Sequence, residues 1–252
     1  MRPTESFDSD LASLRARLSE MGGLAEEQLA GAIDIVRRRD LALAQRVVEA
    51  DKALDACEEQ VEEIALRMLA LRQPLAKELR ETIAALRIAS ALERVGDLAK
   101  NIARRAESLS DRARPPAESS ILRMGKLAQS QLADALDAFG ARDNDAAMDV
   151  WRRDVEIDEL YNSVFYDLVT QMTYEPRQVS QGAQLMFIAK NIERVGDHTT
   201  FISEMTHFVT VGRSIERERP KGAAEFPMID PEPGDSAVAS KPPRRGAHDP
   251  GE

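Results

Sequence analysis

The stretch IASALERVGDLAKNIA, residues 88–103, decides the organisation of this 252-residue chain. It occurs again, edited, as IAKNIERVGDHTTFIS, residues 188–203, and the five letters ERVGD are identical in both copies. Apolar residues recur at helical spacing around the charged letters, so both copies are predicted to lie on helices. A charged sequence repeated inside an apolar helical pattern indicates a duplicated unit in which each half carries one copy of a site.

Composition restricts the class of protein. The formal net charge is −10, which argues against a nucleic-acid partner because phosphate contacts need a basic face. Aromatic residues make up only 4% of the chain, while Ala, Leu, Glu and Arg are abundant, as in all-helical proteins. The single cysteine excludes a disulfide within the chain. We find neither a membrane-length apolar run nor signal-peptide features, so we predict a cytoplasmic protein without direct membrane insertion.

The apolar pattern predicts six helices in two sets of three. The first set is predicted over residues 6–39, 41–72 and 75–109. The second set is predicted to consist of a helix ending at Gly140, followed by helices over residues 143–173 and 177–211. Prolines 74 and 176 mark the same turn in both sets, because proline disfavours helix in the residue before it and suits the first turn of the next helix. We therefore predict an all-α chain of two tandem, pseudo-symmetric three-helix bundles.

The same features set the domain boundaries. The first bundle is predicted to span residues 5–110 and the second residues 120–212, joined by a proline-containing linker over residues 111–119. Residues 213–252 hold seven of the twelve prolines and a single aromatic residue. Such a segment cannot bury enough apolar area to offset its ordering entropy, so we predict a disordered C-terminal tail.

In the first half, the repeated sequence predicts a cluster of oxygen ligands. Glu93 and Asp97 are four residues apart, so both carboxylates lie on one face of the helix. Folding this helix back on the preceding one about the proline turn brings Asp51 and Asp55 level with them, within about one helical turn. Asn101 adds an amide oxygen one turn further on.

The second half predicts a similar cluster from Glu193, Asp197, Asp154 and Asp158, and His198 can add a nitrogen there. Four like charges at close range disfavour full ionisation unless a cation is present. All-oxygen ligands suit Mg²⁺, Mn²⁺ or Ca²⁺, and carboxylate clusters also hold iron. Each half is therefore predicted to carry a metal site.

Two other interpretations stay open. The acids can be ordinary charges of helix faces, paired with Arg87, Arg94 and Arg104 in a structural helical interaction protein without metal. They can also belong to a carboxylate-bridged metalloenzyme. Against catalysis, we find no phosphate-binding glycine loop, no GxSxG, no HExxH and no pair of nucleophile and base, so we expect a protein that is not an enzyme.

Gly96 and Gly196 lie inside predicted helices, where alanine is preferred. Their presence indicates that something approaches the backbone closely at these two positions. A neighbouring helix and a ligand of a bound ion are both candidates, and we favour the neighbouring helix.

Three stretches resemble the PhoU family of phosphate-specific transport accessory proteins. They are LERVGDLAKNIA at residues 92–103, QPLAKELR at residues 73–80 and NIERVGDH at residues 191–198. The pattern of Phe7, Leu11, Leu14 and Met21 is also similar, and the resemblance covers about residues 5–210. It implies a fold of two tandem three-helix bundles related by pseudo-symmetry.

The resemblance also implies a function. Members bind multinuclear iron or zinc clusters through E/D-x-x-x-D motifs, which fall here on Glu93 and Asp97 and on Glu193 and Asp197. They are negative regulators of phosphate uptake and of the phosphate regulon, linking the ATPase of the phosphate ABC transporter to the phosphate-sensing histidine kinase, and many are homodimers. Phe201 departs from the pattern, because asparagine is usual there. The first copy is therefore the better candidate for a metal site.

Overall fold

Helices make up nearly all of the backbone that the computed structural model describes, namely residues 3–72, 75–109 and 114–216. The first half consists of α1 (Pro3–Arg38), α2 (Leu41–Arg72) and α3 (Ala76–Ala106). The second half consists of α4 (Ala117–Ala141), α5 (Asn144–Arg153), α6 (Val155–Tyr174), a 3₁₀ turn (Pro176–Gln178) and α7 (Val179–Val211). These ranges contain no strand, so the all-α prediction is confirmed.

Each half is a bundle, and the two bundles share one core. Helices α1, α2 and α3 pack against one another, and α4 packs against α5, α6 and α7. The most extensive pairing of all is between α3 and α7, which joins the halves. Buried apolar side chains from both halves consequently form one continuous cluster. Helices α3 and α7, the last helix of each half, are therefore central to the whole molecule.

Helices α3 and α7 run antiparallel. The guanidinium group of Arg80, near the start of α3, lies beside Gly212 at the end of α7. At the other end, the guanidinium carbon of Arg105 lies 4.2 Å from the centre of the Phe187 ring. The two ERVGD copies lie about midway between these contacts. The pseudo-symmetry thus brings the two repeated sequences side by side.

The duplication is also visible in the turns that follow α1 and α4. Arg39 and Arg142 end these helices in the left-handed conformation, with φ of 58° and 56°. The next residue in each case, Asp40 or Asp143, accepts a hydrogen bond from the backbone N–H three residues later. This arrangement caps the following helix. The matched turns support the alignment of the halves with an offset of 103 residues.

The prediction of one continuous helix over residues 143–173 is wrong, because the chain breaks at Asp154. The buried side chain of Gln131 donates from Nε2 to the carbonyl of Arg153 at 3.0 Å. The N–H of Ile157, which would bond that carbonyl in a regular helix, bonds the carbonyl of Asp154 instead, at 3.0 Å. A side chain that enters the backbone ladder in this way bends a helix.

Other boundaries shift by a few residues. Helix α3 ends three residues before the predicted position, and α4 begins at Ala117, so residues 117–119 of the predicted linker are helical. Most of the predicted tail, residues 217–252, lies outside the described residues. Within the described ranges, none of the helices combines the length and the apolarity that crossing a bilayer needs.

Candidate functional site

The first acidic cluster is built by α2 and α3 around Lys100. The ammonium group of Lys100 pairs with Oδ2 of Asp51 on α2 and lies 2.5 Å from Oδ1 of Asp97, one turn earlier on α3. Burial acts to lower the pKa of Lys100, but the two carboxylates outweigh it and raise that pKa. The expected meeting of these two aspartates thus occurs around a cation that belongs to the chain itself.

Glu93 shares a proton with Asp97. Burial, reinforced by the negative charge of Asp97, raises the pKa of Glu93 to about 7, while Arg94 acts in the opposite direction. Burial also acts to raise the pKa of Asp97, but the hydrogen bond from Lys100 outweighs it and lowers that pKa. Below about pH 7 the proton therefore resides on Glu93 rather than on Asp97.

The other predicted members of the first cluster lie further out. Most of the Asp55 side chain is exposed, but its partial burial and the negative charge of Asp51 raise its pKa. Asp55 therefore interacts electrostatically with the same cluster. Asn101 is exposed. One turn beyond Asp55, burial and the charge of Glu62 raise the pKa of Glu58. The cluster is therefore the inner end of an acidic face that continues along α2.

In the second cluster, Glu193 of α7 is largely buried, with a side chain only 13% exposed. Its carboxylate lies 2.7 Å from the ammonium group of Lys190. Burial raises the pKa of Glu193, and the charges of Asp197 and Asp158 add to this effect, which places the three acids near one another. Burial lowers the pKa of the neighbouring His198, which favours its neutral imidazole, although the charge of Asp197 acts in the opposite direction.

Asp51 and Asp154 occupy matched places against the two glycines of the repeated sequence. A methyl group added at Gly196 would lie 2.9 Å from Oδ1 of Asp154, and one added at Gly96 would lie 3.7 Å from Oδ1 of Asp51. Both aspartates are buried. Gly196 therefore lets the carboxylate of Asp154 approach the backbone that carries the ERVGD acids, whereas Gly96 makes room chiefly for Leu54 and Gln28.

Sequence reasoning missed two buried glutamines, Gln28 and Gln131, which stand at the same offset of 103 residues as the aspartates. Gln28 donates from Nε2 to the carbonyl of Val47 at 3.2 Å and to Oδ1 of Asp51 at 3.4 Å. Gln131 donates to the carbonyl before Asp154. Each glutamine thus fixes the helix segment that carries a buried aspartate, and the shared offset was the signal that could have revealed them.

Two cations of the chain lie close to the acids of the first cluster. Among the arginines that were candidate partners, Arg94 lies 3.5 Å from Glu93 and 3.7 Å from Asp97. The closest cation is Lys100, which sequence reasoning passed over although it stands three residues after Asp97. Lysine at that spacing on a helix is a recognisable partner for an aspartate.

One Glu-x-x-His pair, of the kind that holds iron in di-iron bundles, is present in α7 but is engaged elsewhere. Glu204 accepts a hydrogen bond from Trp151 Nε1 at 3.2 Å. Nδ1 of His207 lies 2.8 Å from Oδ1 of Asn144. Both groups bond to α5, away from the ERVGD acids, so the pair adds nothing to a carboxylate-bridged metal centre.

The donor chemistry fits a hard cation, although the side chains are not gathered around one point. Carboxylate oxygens converge on Lys100 in the first half. Burial, with a further contribution from neighbouring acids, raises the pKa of Glu93 and Glu193, and a bound cation would favour their ionised forms. Within residues 3–72, 75–109 and 114–216, no three His, Cys, Asp or Glu side chains are already placed to hold a metal ion. Metal binding would require these side chains to turn toward one another.

The raised pKa of Glu93 predicts a pH dependence of stability. Between its ordinary pKa of 4.5 and the folded value of about 7, the folded chain holds this proton more tightly than the unfolded chain. The unfolding free energy therefore falls as pH rises through that window. Glutamine does not titrate, so the Glu93→Gln variant should not lose this free energy. The unfolding free energy of the variant minus that of wild type should therefore increase between pH 5 and 8, by an amount on the order of 1–2 kcal/mol.

Urea unfolding of both proteins in the presence of a chelator measures the difference, and the chelator keeps metal binding out of the comparison. A constant difference between Glu93→Gln and wild type from pH 5 to 8 would contradict the assignment of the shared proton to Glu93.

A family model described as the PhoU domain matches residues 18–106 and 121–206, one match in each half. The chain belongs to the PhoU family. The Caulobacter vibrioides phosphate-specific transport system accessory protein PhoU homolog is 46% identical over 218 residues, covering 86% of this chain and 95% of the relative. The homolog of the same description from Rhizobium meliloti is 42% identical over 217 residues, covering 86% and 92%.

Solved PhoU structures share the fold. PhoU from Pseudomonas aeruginosa matches with a TM-score of 0.80 and 34% identity, over 82% of this chain and 100% of the other. The phosphate transport system regulatory protein PhoU from Streptococcus pneumoniae matches with a TM-score of 0.79 and 26% identity, over 84% and 100%. The expected resemblance and the pseudo-symmetric PhoU fold are thereby confirmed.

Proposed function

We propose that this PhoU-family chain is an accessory protein of the phosphate-specific transport system that restrains phosphate uptake and the phosphate regulon. It acts without catalysis, as a metal-binding adaptor between the ATPase of the phosphate ABC transporter and the phosphate-sensing histidine kinase. Both partners use ATP, so the proposal places the chain in the cytoplasm. As in many family members, the acting form is a homodimer.

The similarity to relatives along nearly their whole length carries this proposal. The alignment covers 95% of a relative described as a phosphate-specific transport system accessory protein, so the likeness is not that of an isolated module.

A further observation favours an adaptor. Around the α2–α3 turn, Leu66, Leu71 and Leu75 are exposed, as are Tyr174 and Val179 around the matching turn of the second half. Exposed apolar side chains grouped in this way are typical of surfaces that bind other proteins.

In the proposed metal-bound form, carboxylates of both clusters would supply the ligands. Glu93, Asp97, Asp51 and Asp55 would serve the first half, with Asn101 at its edge. Glu193, Asp197, Asp154 and Asp158 would serve the second. Iron or zinc is the metal that the family resemblance favours, and oxygen ligands also accept Mg²⁺, Mn²⁺ or Ca²⁺. The bound ions would neutralise two acidic faces at the centre of the molecule.

Deleting the gene in phosphate-replete medium tests the regulatory function. The expected result is derepression of phosphate-starvation genes together with faster phosphate uptake, because the restraint on transporter and kinase is removed. Reporter expression and uptake of radiolabelled phosphate measure the two effects, and complementation with the intact gene is the control. Unchanged expression and unchanged uptake in the deletion strain would eliminate the proposal.

A second candidate function is a structural helical interaction protein whose acids are paired with cations of the chain and bind no metal. The pairing of Lys100 with Asp51 and Asp97 favours it for the first half. Elemental analysis of protein purified without chelators separates the two. Metal that is lost in Glu93→Ala/Asp97→Ala or in Glu193→Ala/Asp197→Ala supports the metal-binding adaptor, whereas a metal-free wild type supports the second candidate.

A further inference from the structure

Lys100 occupies the space between two carboxylates that would otherwise be available to a cation. Its ammonium group bonds Asp51 on one helix and Asp97 on another, and its side chain is only 19% exposed. A group held by two carboxylates and largely shielded from water is more strongly bound than a surface ion pair. Any metal ion that takes these oxygens must first displace it, and the displaced ammonium would then repel the metal.

The second half carries no cation at the matching position. Thr200 stands there, buried, and its hydroxyl donates to the carbonyl of Gly196 at 2.9 Å. The lysine beside the second cluster is Lys190, which matches Ser90 of the first half and contacts Glu193. Its side chain is 47% exposed. The two halves therefore place their lysines differently: one between two aspartates, the other on the edge of a single glutamate.

We propose that Lys100 is an internal competitor for divalent metal ions at the first cluster. The first cluster accepts a metal ion only when the ammonium group leaves Asp51 and Asp97. This inference rests on the metal binding of the proposed function. The affinity of the first cluster, which the sequence favoured as a metal site, is then limited by a side chain of the chain itself.

Titration of the full-length, chelator-stripped protein with Mn²⁺, followed by electron paramagnetic resonance of the free ion, tests the inference. The parent is Glu193→Gln/Asp197→Asn, in which only the first cluster is intact. Adding Lys100→Met to this parent should tighten Mn²⁺ binding by at least about tenfold, because the competing charge is removed.

The matched control removes the other lysine. In a Glu93→Gln/Asp97→Asn parent, where only the second cluster is intact, Lys190→Met should change Mn²⁺ affinity less than Lys100→Met does in the first. Lys190 is more exposed and contacts one carboxylate rather than two. Equal effects of the two substitutions would overturn the asymmetry between the halves.

The remaining outcomes are also decisive. Unchanged affinity on Lys100→Met, with Mn²⁺ still bound, overturns the inference and leaves metal binding intact. No Mn²⁺ bound to wild type or to any variant overturns the metal-binding part of the proposed function, and the inference with it. Lys100→Gln, which keeps a polar group between the aspartates, replaces Lys100→Met in the titration if the methionine variant does not fold, as judged by circular dichroism.

Discussion

Glu118→Ala is expected to destabilise the chain by about 3–5 kcal/mol, because it leaves a buried guanidinium group without its counter-ion. Glu118 opens α4 and pairs through Oε2 with Nη2 of Arg39 at 2.6 Å, and both side chains are only 5% exposed. The remaining contact of the guanidinium is the carbonyl of Val36, and Nε of Arg39 is buried without a hydrogen bond. Urea unfolding followed by circular dichroism measures the loss.

Two controls separate the buried charge from the ion pair itself. Replacing both partners, as Arg39→Met/Glu118→Met, should restore most of the stability, because no buried charge is then left unpaired. Glu20→Ala, which breaks the half-exposed pair of Glu20 with Arg17, should change stability by less than about 1 kcal/mol. A loss on Glu118→Ala as small as that on Glu20→Ala would show that water reaches Arg39.

The matching place in the other half shows how the duplication was modified. At an offset of 103 residues, Arg39 corresponds to Arg142, and Glu118 corresponds to Arg15. The place that matches the Arg39–Glu118 ion pair therefore holds two arginines, Arg142 and Arg15. Glu81 of α3 lies between them and pairs with both, with Arg15 Nε at 2.6 Å. Glu81→Ala should destabilise by about 1–3 kcal/mol only, because Arg15 and Arg142 are 49% and 35% exposed and can reach water.

Much of the fold follows from local sequence signals. The bounds of α2 are as predicted, since a turn precedes Leu41 and a proline break follows Arg72. The break between α5 and α6 was not predictable in the same way. Its break at Asp154 depends on Gln131, a residue 23 positions earlier on another helix, whose side chain takes a backbone carbonyl. Local propensity contains no information on such a contact.

Part of the candidate site was also predictable from local sequence signals. Helical spacing and the antiparallel register placed Asp51 near Asp97, and the structure brings both to one cation. The identity of that cation was not predictable from pseudo-symmetry, because Thr200 rather than a lysine matches Lys100 in the second half. Pseudo-symmetry reveals the residues that the halves share, such as the ERVGD acids, and not a residue that only one half has. Lys100 is such a residue, and the aspartates of the first cluster converge on it.

Gly96→Ala is expected to destabilise the chain by about 2–3 kcal/mol, although alanine favours a helix by about 1 kcal/mol over glycine. The added methyl group would meet Cδ2 of Leu54 at a distance that real Cβ atoms essentially never show, and would lie 2.8 Å from Oε1 of Gln28. Gln28 would have to leave Val47 and Asp51, to which its Nε2 donates. The substitution therefore disturbs the packing of α1 and α2 on α3 together with the support of the first cluster.

Gly23→Ala is the matched control, because a methyl group at Gly23 in α1 would meet nothing within 4 Å. It should stabilise the chain by up to about 1 kcal/mol, so the two substitutions are expected to have opposite signs. Unfolding with and without a chelator then decides why the repeated sequence contains glycine. A loss on Gly96→Ala that persists in chelator shows that the glycine admits Leu54 and Gln28. A loss that appears only with metal present would assign the glycine to the bound ion, against the contacts of the structure.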